Sequence, residues 1–141
     1  MARDRYREHI EAVPLFARCN AHQIDHLLRV ADEINIPAGT TFIREGEMGR
    51  ELFIIVDGTA EVTRGGAPVT RLTRNEFVGE LSVLRHAPRN ATVTAQSDLD
   101  VLVLRANALE PLLEDIPGLA KALLYDVADR LSAEEEHTTP H

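Results

Sequence analysis

The chain has 141 residues, 44% of them hydrophobic and 27% charged, and its 23 acidic against 15 basic side chains give a formal charge of −8. That length suits one domain that buries a core without disulfide or metal staples, and that charge excludes nucleic-acid binding by bulk electrostatic attraction, which needs a basic surface. A single cysteine, Cys19, excludes an internal disulfide and a cysteine-cluster zinc site. No apolar run approaches the roughly 18 residues of a membrane span. The N-terminal stretch carries Arg3, Asp4, Arg5, Arg7, Glu8 and Glu11, which is not a signal peptide. The expectation is a cytoplasmic protein.

In chain order, residues 3–12 read as a short polar helix that Pro14 ends or redirects. Asn20 and Gln23 have the spacing of a capping box opening a second helix, whose Ile24, Leu27, Leu28 and Ala31 share one face. From Glu33 the period changes to two. Ile34 and Ile36 alternate with Asn35, Pro37-Ala38-Gly39 is a turn, and Thr41, Phe42 and Ile43 follow. Glu45 to Gly49 is a further turn, Leu52–Val56 a fully apolar strand, and Asp57-Gly58 its end. Ala60 and Val62 belong to the next strand, Gly65-Gly66 to a hairpin, and Val69 and Leu72 to its return arm. Ala91, Val93 and Ala95 alternate, and Leu99 to Leu104 is another apolar strand. Short strands at this turn spacing predict a sandwich or small barrel. Asn107 and Glu110 read as a second cap signal, with Pro111 in the first turn, and Pro117-Gly118 as a break. Leu119, Ala120, Leu123, Leu124, Val127, Ala128 and Leu131 then form the apolar stripe of a last helix. The acidic end reads as a solvated tail.

The chemistry concentrates in residues 77–93. Gly79, just past a strand, permits close backbone approach to a ligand. Glu80 begins a short helical turn whose first amides have no internal partners and attract an anion. Arg89, behind Pro88, supplies the side chain suited to forked hydrogen bonding of phosphate. A carboxylate, open amides and a guanidinium facing one space suit an anionic phosphate with a nearby sugar hydroxyl.

These residues resemble the phosphate-binding cassette of the cyclic nucleotide-binding domain family, which includes catabolite activators, kinase regulatory subunits and gated channels. The cassette pattern F-G-E-L-A-L-L, a short loop, then P-R-(S/T/A)-A-T-V is met by Val78-Gly79-Glu80-Leu81-Ser82-Val83-Leu84 and Pro88-Arg89-Asn90-Ala91-Thr92-Val93. Leu15-Phe16, the turn glycines Gly46 and Gly49 after Glu45, and Gly58 extend the likeness, which covers about residues 13–133. The resemblance implies an α+β, mainly β fold: an antiparallel β-roll (about 32–105) flanked by N- and C-terminal helices, with hinge and lid helices at about 107–133, all in one domain of residues 1–141.

The resemblance also implies roles. Arg89 pairs with the exocyclic oxygens of the cyclic phosphate, Glu80 accepts from the ribose 2′-OH, and the amides around Leu81 and Ser82 cap the phosphate. Gly79 permits the approach, Val78 and Val93 line the wall, and Leu124, Val127, Ala128 or Leu131 of the last helix touches the base. Asn90 and Ala91 complete the ligand-binding set. Two departures from the pattern matter. Where the family has Ser, Thr or Ala after the arginine, this chain has Asn90; Thr or Ser there often accompanies cGMP and Ala cAMP, so the ligand is cAMP or cGMP. The family's G-x-G-D is replaced by Thr73-Arg74-Asn75-Glu76, where Asn tolerates the left-handed conformation.

Other constellations are weaker. His22 and His26 have helical i, i+4 spacing but no third ligand, and Glu45 to Glu47 lack metal-ligand spacing. No H-x-H pair supports a metal-dependent cupin, and no Ser-His-Asp order with a nucleophile elbow is present. The expectation is a non-enzymatic sensor without a metal, coupled to a protein partner, with no nucleic acid or membrane as partner and with a homodimer through the C-terminal helix as one possibility. Only ten residues follow Leu131, too few for a helix-turn-helix output, so the chain reads as a free-standing sensor or a module of a longer protein. The competing class is an interaction or dimerisation module whose cassette is degenerate.

Overall fold

The computed structural model describes residues 2–13, 16–17, 19–79 and 87–115. The predictions for Pro14, for Leu15, for the Glu80 to Leu84 part of the cassette (Glu80, Leu81 and Ser82 included), for the Pro117-Gly118 break, for the amphipathic segment 119–131 and for the acidic tail lie outside these residues.

Helices α1 (Ala2–Ala12) and α2 (Ala21–Val30) open the chain. The capping box of α2 is present as predicted. The Asn20 side chain accepts from the Gln23 amide, and the Gln23 side chain accepts from the Asn20 amide, both at 2.9 Å. Eight strands follow: β1 (Asp32–Ile36), β2 (Thr41–Ile43), β3 (Glu51–Asp57), β4 (Ala60–Arg64), β5 (Ala67–Leu72), β6 (Phe77–Val78), β7 (Thr92–Ala95) and β8 (Leu99–Arg105). Helix α3 (Ala106–Asp115) continues directly from β8.

The strands form two four-stranded antiparallel sheets, ordered β1-β8-β3-β6 and β2-β7-β4-β5. The unbroken apolar run of β3 follows from its place between two cores. Leu52, Ile54 and Val56 face one cluster with Ile10, Phe16, Ile24 and Leu27 of the N-terminal segment and Leu109 of α3. Phe53 and Ile55 face the other, between the sheets, with Val62, Val93 and Val101. A strand covered on both faces reads as continuous hydrophobicity rather than alternation. Each large aliphatic side chain so buried contributes about 1.5–3 kcal/mol. The Gly65-Gly66 hairpin forms with φ of 59° and 83°, the left-handed pair that a tight two-residue turn needs.

One finding adds to the expectations and one corrects them. Ile34 alternates as predicted but is 42% exposed, because β1 is an edge strand; Ile36 alone of the pair is buried. The Asn107 cap and the first-turn Pro111 are displaced: α3 begins at Ala106, so Asn107 is already inside it and Pro111 lies in its interior. The first amide of the helix, that of Ala106, donates instead to the Arg50 carbonyl at 2.7 Å as the chain leaves β8.

Candidate functional site

Arg89 is the single charged residue buried among the described residues, and its side chain is 6% exposed. Its backbone is fixed first. The Arg89 amide donates to the Glu47 carbonyl at 2.9 Å, and the Gly46 amide donates to the Arg89 carbonyl at 2.8 Å. This exchange locks residue 89 to the turn after β2. The flanks are tied as well: Arg64 Nε donates to the Asn90 carbonyl at 2.8 Å, and the Glu45 amide donates to Thr92 Oγ1 at 3.0 Å. Glu45 in turn accepts from the Gly65 amide at 2.9 Å, joining the β4–β5 hairpin to the same corner. The acidic turn at 45–47 is thus a structural brace, exposed to solvent.

The guanidinium lies between the start of β3 and the end of β6. Nη2 donates to the Glu51 carbonyl at 3.1 Å and Nη1 to the Gly79 carbonyl at 3.3 Å. Glu51 Oε1 is 3.7 Å from Nη2. A buried charge is tolerated only with such polar partners. Two glycines make room for it. A Cβ at Gly49 would sit 2.6 Å from Nη2 and 2.8 Å from Cζ. A Cβ at Gly79 would sit 2.7 Å from Nη1 and 2.5 Å from the Glu51 carbonyl oxygen, and Gly79 has φ of 101°. Any larger residue at either position displaces the arginine. Pairing of β6 with β3, Phe53 opposite Val78, sets Gly79 beside Glu51.

A planar cation held rigidly in a low-dielectric recess is suited to bidentate recognition of a phosphate or carboxylate. Of the other predicted residues, Val78 is half-buried beside the inter-sheet core, Ala91 and Val93 are buried within it, and Asn90 is exposed next to Arg89. In the substituted turn before β6, Asn75 adopts the left-handed conformation, with φ of 72°, and its amide donates to the Ile55 carbonyl at 2.8 Å. Sequence reasoning missed Glu51 at this site. Its only signal was an acidic residue heading an apolar strand. A cavity of about 390 Å³ over α2, lined by His22, Asp25, Leu28 and Arg29, contains none of the predicted residues. Among the described residues no group of three or more His, Cys, Asp or Glu is arranged to hold a metal, and no helix is long and apolar enough to cross a membrane.

Comparison with known proteins bears on this geometry. The profile of the cyclic nucleotide-binding domain matches residues 33–115. A cAMP-dependent protein kinase regulatory subunit of Pyricularia oryzae is 29% identical over 126 residues, 88% of this chain and 32% of the subunit. A cyclic nucleotide-gated potassium channel of Rhizobium etli is 31% identical over 121 residues, 86% of this chain and 34% of the channel. The chain thus spans about a third of the length of these relatives. The regulatory domain of Toxoplasma gondii PKA, solved with cAMP, superposes with a TM-score of 0.81 at 20% identity, over 90% of this chain and 50% of that one, a likeness of fold.

Proposed function

Because this chain belongs to the cyclic nucleotide-binding domain family, a family of regulatory rather than catalytic domains, we propose that it is a sensor whose Arg89 holds the cyclic phosphate of cAMP or cGMP. The observation that carries the reading is the Arg89 seat: a buried guanidinium, fixed at its backbone by two hydrogen bonds and at its head by two carbonyls, with glycines in place of the side chains that would crowd it. Maintaining a buried cation costs desolvation. An anionic ligand that reaches it gains a preorganised partner.

In this reading Glu80 accepts from the ribose hydroxyl and the amides at Leu81 and Ser82 complete the phosphate cap. Gly79 keeps the approach open. Val78, Ala91 and Val93 give the wall its shape, and Asn90 contributes to the choice of purine. cAMP is the first ligand to test, being named with the Pyricularia oryzae subunit and the Toxoplasma gondii domain. The output is a shift of the helices after β8 toward a protein partner, such as a kinase catalytic subunit. The shift is limited by the ligand's differential affinity for the two helix arrangements. At micromolar affinity that is at most about 8 kcal/mol. The domain so proposed spans residues 1–141, with 107–133 supplying hinge and lid and the C-terminal helix a surface for a partner or a second copy.

Isothermal titration calorimetry of the folded, nucleotide-free chain tests this reading. Saturable binding of cAMP or cGMP at micromolar or lower concentration supports it, and the tighter ligand identifies the purine preference that goes with Asn90. Absence of binding to either, at two temperatures, refutes it and favours an interaction module.

A further inference from the structure

The seat of Arg89 contains a group with no place in the cassette pattern. We infer that the Glu51 carboxylate is a resident counter-ion of Arg89 and that an incoming anionic ligand competes with it, so that Glu51 sets the affinity of the site downward. The inference rests on the proposal that Arg89 receives the ligand's phosphate.

Glu51 contributes twice. Its carbonyl accepts from Nη2 at 3.1 Å, which orients the guanidinium and belongs to the backbone. Its carboxylate, 3.7 Å from the same nitrogen and 44% exposed in its side chain, adds charge without an aligned short bond. Orientation therefore survives loss of the carboxylate, whereas its negative charge does not. The adjacent cation does not neutralise it, because the Arg50 guanidinium turns to Glu110 at 3.1 Å. The Arg50 amide, at 3.3 Å, holds Glu51 Oε1 on the Arg89 side. A fixed negative charge at this distance draws on the field that would otherwise attract a phosphate and opposes that phosphate's approach. A glutamine keeps the length of the side chain and an oxygen that accepts from the Arg50 amide, and removes only the charge.

The test compares the wild-type chain with Glu51→Gln, titrated with cAMP at low and high salt, with ligand-free thermal stability measured for both. The expected result is two- to fivefold tighter cAMP binding by the variant at low salt, the range of a partly exposed ion pair. The gain should shrink as salt screens the carboxylate, and the ligand-free variant should melt at a slightly lower temperature than wild type. A purely structural Glu51 would weaken binding when altered and would not generate a salt-dependent gain. Equal or weaker binding by Glu51→Gln, with wild type binding normally, overturns the inference and leaves the sensor reading intact. A wild-type chain that binds no cyclic nucleotide overturns both.

Discussion

Glycine serves two different ends in the two corners that meet beside Arg89. In the β4–β5 hairpin, a Cβ at Gly65 or Gly66 would meet nothing within 4 Å, and both residues have positive φ. There glycine satisfies the backbone. At Gly49 no left-handed conformation is involved, yet an added Cβ would run into the Arg89 head. There glycine satisfies a side chain elsewhere in the chain. The hairpin is a requirement of folding; Gly49 is a requirement of the site. Gly79 meets both conditions at once, with φ of 101° and the guanidinium against it. Stability and binding are therefore separable here by choice of residue.

The largest effect expected on the folding side comes from the core. Ile54→Ala, at a residue 1% exposed between β3 and the helices, is expected to lower unfolding free energy by about 2–5 kcal/mol. Chemical denaturation measures that loss, and cAMP affinity per folded molecule should stay near wild type. A parallel collapse of affinity in fully folded protein would erase the distinction between core and site.

Gly49→Ala sharpens the contrast from the other direction. Its backbone needs no special φ, so the fold should persist, but the methyl group pushes the guanidinium from its carbonyl partners. A loss of roughly 1.5–3 kcal/mol in cAMP binding is expected, the worth of a hydrogen bond to a charged group, together with a lower melting temperature, because the buried cation gives up polar partners. Gly65→Ala should touch stability alone. Holding alanine at φ of 59° costs about 1 kcal/mol of stability, read by denaturation, while cAMP affinity remains within twofold.

The parts of this arrangement that were legible in the sequence are those set by local chemistry. Asn20 and Gln23 make their capping box because both partners lie within one turn. Gly65-Gly66 forms its hairpin because few other pairs tolerate two left-handed residues. Leu52–Val56 reads as a strand because every residue in it is apolar, although only the tertiary structure reveals the two cores that demand it. Arg89 was legible through its place in a pattern. What escaped depends on contacts distant in sequence. The first amide of α3 finds its acceptor at the Arg50 carbonyl, more than fifty residues upstream, and Asn107 falls inside the helix. The exposure of Ile34 follows from the edge position of β1, which alternation alone does not encode. Glu51 reaches the site because β3 and β6 pair in one register, and nothing in its immediate neighbours announces that.

The smallest expected effect concerns Cys19, packed in part against the helix-side core, where burial raises its thiol above the ordinary value of 9.0. The folded chain therefore keeps the thiol protonated at pH values where the unfolded chain ionises. Alkylation by iodoacetamide near pH 9 should be slower in the folded than in the unfolded protein. The stability due to this group is present below the unfolded thiol's pKa and is lost as pH rises through the folded one. Equal alkylation rates in the two states would place Cys19 in water.

We propose that the buried guanidinium of Arg89 receives a cyclic phosphate. Calorimetric titration of cAMP into wild type and Arg89→Ala, each first shown to be folded, tests it most directly. Saturable binding by wild type is expected, with a loss of roughly 2–5 kcal/mol in the variant, the usual consequence of truncating one partner of a buried charged contact. Equal affinity in the two proteins would contradict it.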